Sequence, residues 1–86
     1  MYNLYNKLHE SLDKHDGLEM LAALKQAHAS GVARLYALDL LNKLFNESDK
    51  ANDEIAQSIV VDMMDILKFQ CLPRDYIWMP DEQPKP

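Results

Sequence analysis

Three histidines, one cysteine and fourteen carboxylates are the residues of this chain that could do chemistry. Their spacing excludes most of it. His9, His15 and His28 contain no pair at the i, i+4 interval of a helical metal site, and Cys71 has no Cys-x-x-Cys partner, so neither a metal nor another cofactor is expected. Cys71 follows an apolar helix, between Phe69 and Leu72, which is the setting of a small buried hydrophobe rather than a nucleophile. Asp62 and Asp65 have no neighbours in the sequence that would drive one of them toward acid work. There is no glycine-rich phosphate loop. An enzyme is not expected.

Two patterns point to binding instead. Glu54, Ser58, Asp62 and Asp65 fall at i, i+4, i+8 and i+11, one face of a helix, and Asp53 and Asp49 continue the run toward the N-terminus. Such a face is either merely solvated or a landing surface for a basic protein, where complementary charge speeds encounter and sets specificity. The second pattern is Ala27-x-x-x-Gly31-Val32 followed by Leu35 and Leu38, the spacing of a helix-turn-helix. Its would-be recognition helix offers only Arg34 and Lys43 to phosphates, in a chain of net charge −5. Duplex binding needs several such contacts, so nucleic acid is not an expected partner.

The elements that position these residues read as helices. Residues 3–14 carry Leu4, Tyr5, Leu8 and Leu12 at one-face spacing. Asp16, with Glu19 three residues later, marks the start of a second helix reaching about Ala29, with Leu18, Leu21, Ala22 and Leu24 as its buried side. Ser30-Gly31 punctuates the chain: Gly31 can close a helix in the left-handed conformation, and Ser30 could cap the next one. Residues 32–45 have only Arg34, Asp39, Asn42 and Lys43 as polar positions, which predicts the central helix of a bundle. Asn46-Glu47-Ser48 is expected to end it. A fourth helix over about 50–69, capped by Ser48 or Asn52, would bury Ile55, Ile59, Met63, Ile66 and Leu67. No internal repeat is evident.

Pro73, Pro80, Pro84 and Pro86 then forbid a continuous helix. Tyr76, Ile77 and Trp78 lie between the first two prolines, and this apolar load predicts that the segment folds back onto the bundle. If left exposed, Tyr76 and Trp78 would serve a partner as aromatic anchors. The expected fold is therefore an all-α four-helix bundle with an extended Pro-rich C-terminal segment. Residues 1–79 would form one helical domain and 80–86 a flexible tail.

The charge excess lies in one half. Residues 1–46 are neutral, whereas 47–86 carry nine acidic and four basic groups, a balance that favours a basic partner over nucleic acid or an anionic membrane. The N-terminus lacks an apolar signal core and no stretch is long enough to span a bilayer, so a cytoplasmic setting is expected.

Ile66-Leu67-Lys68-Phe69 running into Cys71-Leu72-Pro73 and then Ile77-Trp78 gives the chain an ending that resembles small acidic α-helical immunity proteins. These neutralise bacterial toxins, including those of contact-dependent inhibition systems. The resemblance spans residues 18–78 and rests on that ending together with size and charge. It implies a cytosolic, non-catalytic bacterial protein, monomeric or weakly dimeric, that occludes a toxin, often a nuclease. The acidic run is shorter than in a pure nucleic-acid mimic. The residues expected to touch the partner are Asp49, Asp53, Glu54, Asp62 and Asp65 for charge, with Tyr76 and Trp78 as anchors. A helix-turn-helix regulator and a self-associating structural or adaptor protein are the alternatives.

Overall fold

Asn3 opens the first helix by accepting the Asn6 N–H through its side-chain oxygen. A computed structural model of the chain describes residues 3–70, 74 and 76–78. Within them the chain is all-α: α1 (Leu4–Asp13), α2 (Gly17–Ala29), α3 (Arg34–Lys50) and α4 (Glu54–Leu67) form a four-helix bundle. Cys71, Leu72, Pro73, Pro80, Pro84, Pro86 and the tail over 80–86 lie outside the described residues. Among those described, no helix is long and apolar enough to cross a membrane.

α1 packs on α2 and α3 on α4, giving two antiparallel hairpins, and α1 also touches α3 and α4. Leu4, Leu8 and Leu12 are buried as their spacing predicts, with Tyr5 half-covered beside them. Facing them are Met20 and Leu24 of α2, Ala37, Leu41 and Leu44 of α3, and Val60 and Leu67 of α4. Ile77 and Trp78 complete this core, as the fold-back predicted for them requires.

Several sequence expectations need correction. α3 does not stop at Asn46-Glu47-Ser48. It continues to Lys50, because Glu47 binds Tyr5 and the Ser48 hydroxyl donates to the Leu44 carbonyl inside the helix. Nor is α3 enclosed: Leu35 and Tyr36 stand exposed at its first turn. On α2 the buried residues are Met20, Ala23, Leu24 and Ala27, while Ala22 is exposed and Leu18 is 81 % exposed. α4 starts later than expected, and its cap is Asp53 rather than Ser48 or Asn52. Its buried line is Ala56, Val60, Met63 and Leu67, rotated from the isoleucine line, so that Ile59 and Ile66 are half-buried and Ile55 is exposed. Small side chains at 56 and 60 let α4 approach its neighbours where isoleucine would hold it off. Ser30 closes α2 instead of capping α3, whose N-cap Ala33 makes no side-chain bond.

The two hairpin connectors repeat one device. Glu10-Ser11 and Asp16 in the first recur as Glu47-Ser48 and Asp53 in the second. In each, the serine hydroxyl donates to the carbonyl four residues back (Lys7, Leu44). The serine's own carbonyl accepts the N–H of the capping aspartate at 3.0 Å. The residue before that aspartate takes a left-handed conformation, His15 at φ 53° and Asn52 at φ 56°. Asp16 then accepts the Glu19 N–H and Asp53 the Ala56 N–H. The α2–α3 link uses glycine for the same purpose, Gly31 at φ 89°.

Candidate partner-binding face

Because α4 turns its Ala56–Val60–Met63–Leu67 line inward, the opposite face carries Glu54, Ser58, Asp62 and Asp65 outward. Glu54, Ser58 and Asp62 are exposed and Asp65 half-exposed. No basic side chain among the described residues lies within ion-pair distance of these carboxylates. Their field is directed at solvent.

The other expected contact residues are placed elsewhere. Asp49 is on α3, where it accepts the Gln57 side-chain amide at 3.2 Å and joins α3 to α4. Asp53 is occupied twice, by the Ala56 N–H and by His15 Nε2 at 2.8 Å, which ties the two connectors together. The His15 hydrogen bond, followed by the Ala56 N–H, holds the Asp53 carboxyl below its usual range. Tyr76 is half-buried with its ring 5.0 Å from that of Phe69. Trp78 is 5 % exposed; its indole N–H donates to the Val32 carbonyl at 2.9 Å, and its ring meets His28 edge-on. Glu54, Asp62 and Asp65 thus share one face of α4, Asp49 and Asp53 are engaged in hydrogen bonds at its N-terminal end, and Tyr76 and Trp78 pack on Phe69, Val32 and His28.

A second polar cluster joins α1 to α3. The Tyr5 hydroxyl donates to Glu47 (2.6 Å to Oε1), and this bond, with burial and the charges of Glu47 and Asp13 behind it, raises the Tyr5 pKa. His9 lies 3.2 Å from Asp13 and 4.0 Å from Glu47. Lys43 sits over the Tyr5 ring at 5.0 Å. Beside this cluster is a cavity of about 130 Å³ lined by His9, Asp13, Glu47, Ser48 and Asp53 among others. Its one hydroxyl, that of Ser48, is buried and donates to the Leu44 carbonyl. Among the described residues, no group of three or more His, Cys, Asp or Glu side chains could hold a metal ion.

The two cations of the helix-turn-helix pattern are also engaged. Arg34 donates to the Leu67 carbonyl at 2.9 Å, at the C-terminus of α4, and lies 5.0 Å over the Phe69 ring. Lys43 is the residue over Tyr5.

Sequence reasoning missed the apolar border of the acidic face. Their spacing predicts Ile55, Ile59 and Ile66 in the core, yet Ile55 is exposed and Ile59 and Ile66 are only half-covered. The signal was present: α4 has more large aliphatics than one buried stripe can take. In comparisons with known proteins, no family model, no curated protein and no solved structure matches the chain.

Proposed function

We propose that this chain is a non-catalytic, cytoplasmic protein-binding module. In this reading it is an inhibitor of the immunity-protein kind that blocks a basic partner, a bacterial toxin or another nucleic-acid-handling enzyme. The observation that carries the reading is the outward face of α4, where Glu54, Asp62 and Asp65 stand without counter-ions among the described residues. Unneutralised carboxylates on a rigid helix steer a basic surface toward them and are screened by salt. The engagement of Arg34 and Lys43 in intramolecular contacts weighs against a helix-turn-helix regulator, since few cations remain on α3 for phosphate. Exposure of Leu35 and Tyr36 is the observation that favours self-association as a second reading.

The test is binding kinetics against the protein encoded by the adjacent reading frame, at low and high salt. The triple variant Glu54→Gln, Asp62→Asn, Asp65→Asn keeps the fold, because these positions lie opposite the buried line of α4. It should associate more slowly than the parent chain and lose most of the salt dependence. Equal rates and equal salt slopes would remove the acidic face from the reading. A sequence-selective gel shift lost on Arg34→Ala would favour the regulator.

A further inference from the structure

We infer that the groove between α2 and α4 is the seat of one amphipathic, basic helix of a protein partner, which docks along the acidic face; this rests on the binding reading above and names the form of the partner. α2 and α4 are not closely packed on each other, and they come near at Gly17 and Ile59. A methyl group added at Gly17 would lie 3.8 Å from Ile59 Cγ2. Further along, Leu21 and Lys25 of α2 and Ile66 of α4 line one cavity of about 250 Å³ with Arg74 and Tyr76.

The wall from α4 is a regular row. Ile55, Ile59, Asp62 and Ile66 stand at i, i+4, i+7 and i+11, the spacing of a coiled-coil seam. Ile59 and Ile66 rest partly on the core, while Ile55 is 60 % exposed. The wall from α2 has Leu18, Leu21 and Lys25 at i, i+3 and i+7, the same type of seam. Each seam thus presents isoleucine or leucine interrupted by one charge. Two helices that leave such seams open form a groove for a third, and Ile55 to Ile66 spans about 16 Å, or about three turns of the incoming helix.

Charge complementarity identifies the occupant. Asp62 interrupts the α4 seam and Glu54 and Asp65 border it, so the flank of the guest that lies over α4 must carry Lys or Arg. Lys25 and Arg74, the two charged residues that line the cavity, require acidic residues on the guest's opposite flank. A second copy of this chain fits poorly, since it carries net charge −5 and would bring like acidic faces together. The chain's own residues 79–86 fit no better: they contain Asp81 and Glu82 against Lys85, and three prolines oppose a helix.

The experiment uses the full chain and two fluorescein-labelled helical peptides of about 14 residues. Both carry the same leucine seam and glutamate on the flank that faces Lys25; on the flank that faces α4 one has lysine and the other glutamate. Anisotropy titrations should show binding of the lysine peptide, weakened about tenfold or more by Leu18→Lys or Ile55→Lys. Both sites are exposed, so helical circular dichroism should be unchanged in these variants. Asp62→Lys should weaken the lysine peptide and admit the glutamate peptide. If Leu18→Lys and Ile55→Lys bind as the parent does while Glu54→Gln with Asp65→Asn abolishes binding, the groove is wrong and the acidic face alone is right. If no variant changes binding, both are wrong. Failure of the lysine peptide to bind at millimolar concentration overturns the groove. So does equal binding of the two peptides, or a parent dimer that Ile55→Lys dissociates.

Discussion

At the end of the bundle where α1 turns into α2 and α3 into α4, two connectors use the same short polar side chains. At the opposite end, aromatic rings from the last described residues do the closing. The connector end is built by Ser11 and Asp16, then Ser48 and Asp53, whose side chains bond to backbone within a few residues of themselves, with His15 and Asn52 in the left-handed conformation and one long-range bond, His15 to Asp53. It is therefore locally determined and could be used twice. The aromatic end depends on partners distant in sequence: Trp78 on Val32 and His28, Arg34 on Leu67 and Phe69, Tyr76 on Phe69. The difference implies that damage at the connector end stays local, whereas damage at the aromatic end loosens the whole fold.

Trp78→Ala tests that contrast most severely. It removes a buried indole and strands the Val32 carbonyl, at a cost of about 3–5 kcal/mol. For a domain this small that approaches the whole stability. Denaturant unfolding followed by circular dichroism should show a large fall in midpoint or no cooperative transition. Trp78→Phe keeps most of the apolar volume and loses the hydrogen bond, so it should fold with a smaller loss. A Trp78→Ala midpoint equal to the parent's would show the aromatic end to be an ornament on a bundle closed by other contacts.

The same contrast explains what could be read from the sequence. Asp16 with Glu19, the Ser30-Gly31 break and the Leu4–Leu8–Leu12 line are local or strictly periodic, and each was legible. The connector repeat was not recognised, because only Glu-Ser and the capping Asp recur while the αL residues differ in type, histidine in one and asparagine in the other. On α4 two apolar lines compete, and the inward one is chosen by tertiary packing, which periodicity does not encode. The acidic face survived that rotation. That Asp53 is a cap and Asp49 a bridge to Gln57 is not legible, since a cap and a helix end look like any other carboxylate until their partners are placed.

Gly31→Ala comes next in expected size. No atom would meet the added methyl, so space is not at issue; the φ of 89° is. A residue with a Cβ there costs about 1–2 kcal/mol. The fall should appear in the unfolding midpoint without a change in the denaturant slope.

At the connector end, Asp16→Ala should cost about 1 kcal/mol, the usual loss for an N-cap. Asp53→Ala should cost more than Asp16→Ala, because the bond to His15 goes as well. Asp53 also makes stability depend on pH. The folded pKa of Asp53 lies below its unfolded value, so its ionised form stabilises the fold above about pH 4. That contribution disappears as pH falls through the folded value. Asp53→Asn retains a good cap but should flatten the acid limb of the stability profile. Identical acid limbs for parent and Asp53→Asn would deny the Asp53 carboxylate that role.

Gly17→Ala should have the smallest effect and the opposite sign from Gly31→Ala. Gly17 is the first residue of α2, its φ is not in the left-handed region, and alanine there lowers the entropy of the unfolded chain. The new methyl would meet Ile59 Cγ2 at 3.8 Å, an ordinary contact that adds apolar surface to the α2–α4 groove. Both effects stabilise, and together they should raise stability by about 0.4–1 kcal/mol. The glycine at the connector end would thus be replaceable and the one at the aromatic end not, although both sit beside a helix terminus. A loss of stability in Gly17→Ala would mean that α2 and α4 approach too closely to leave an open groove, and it would count against a helix seated there.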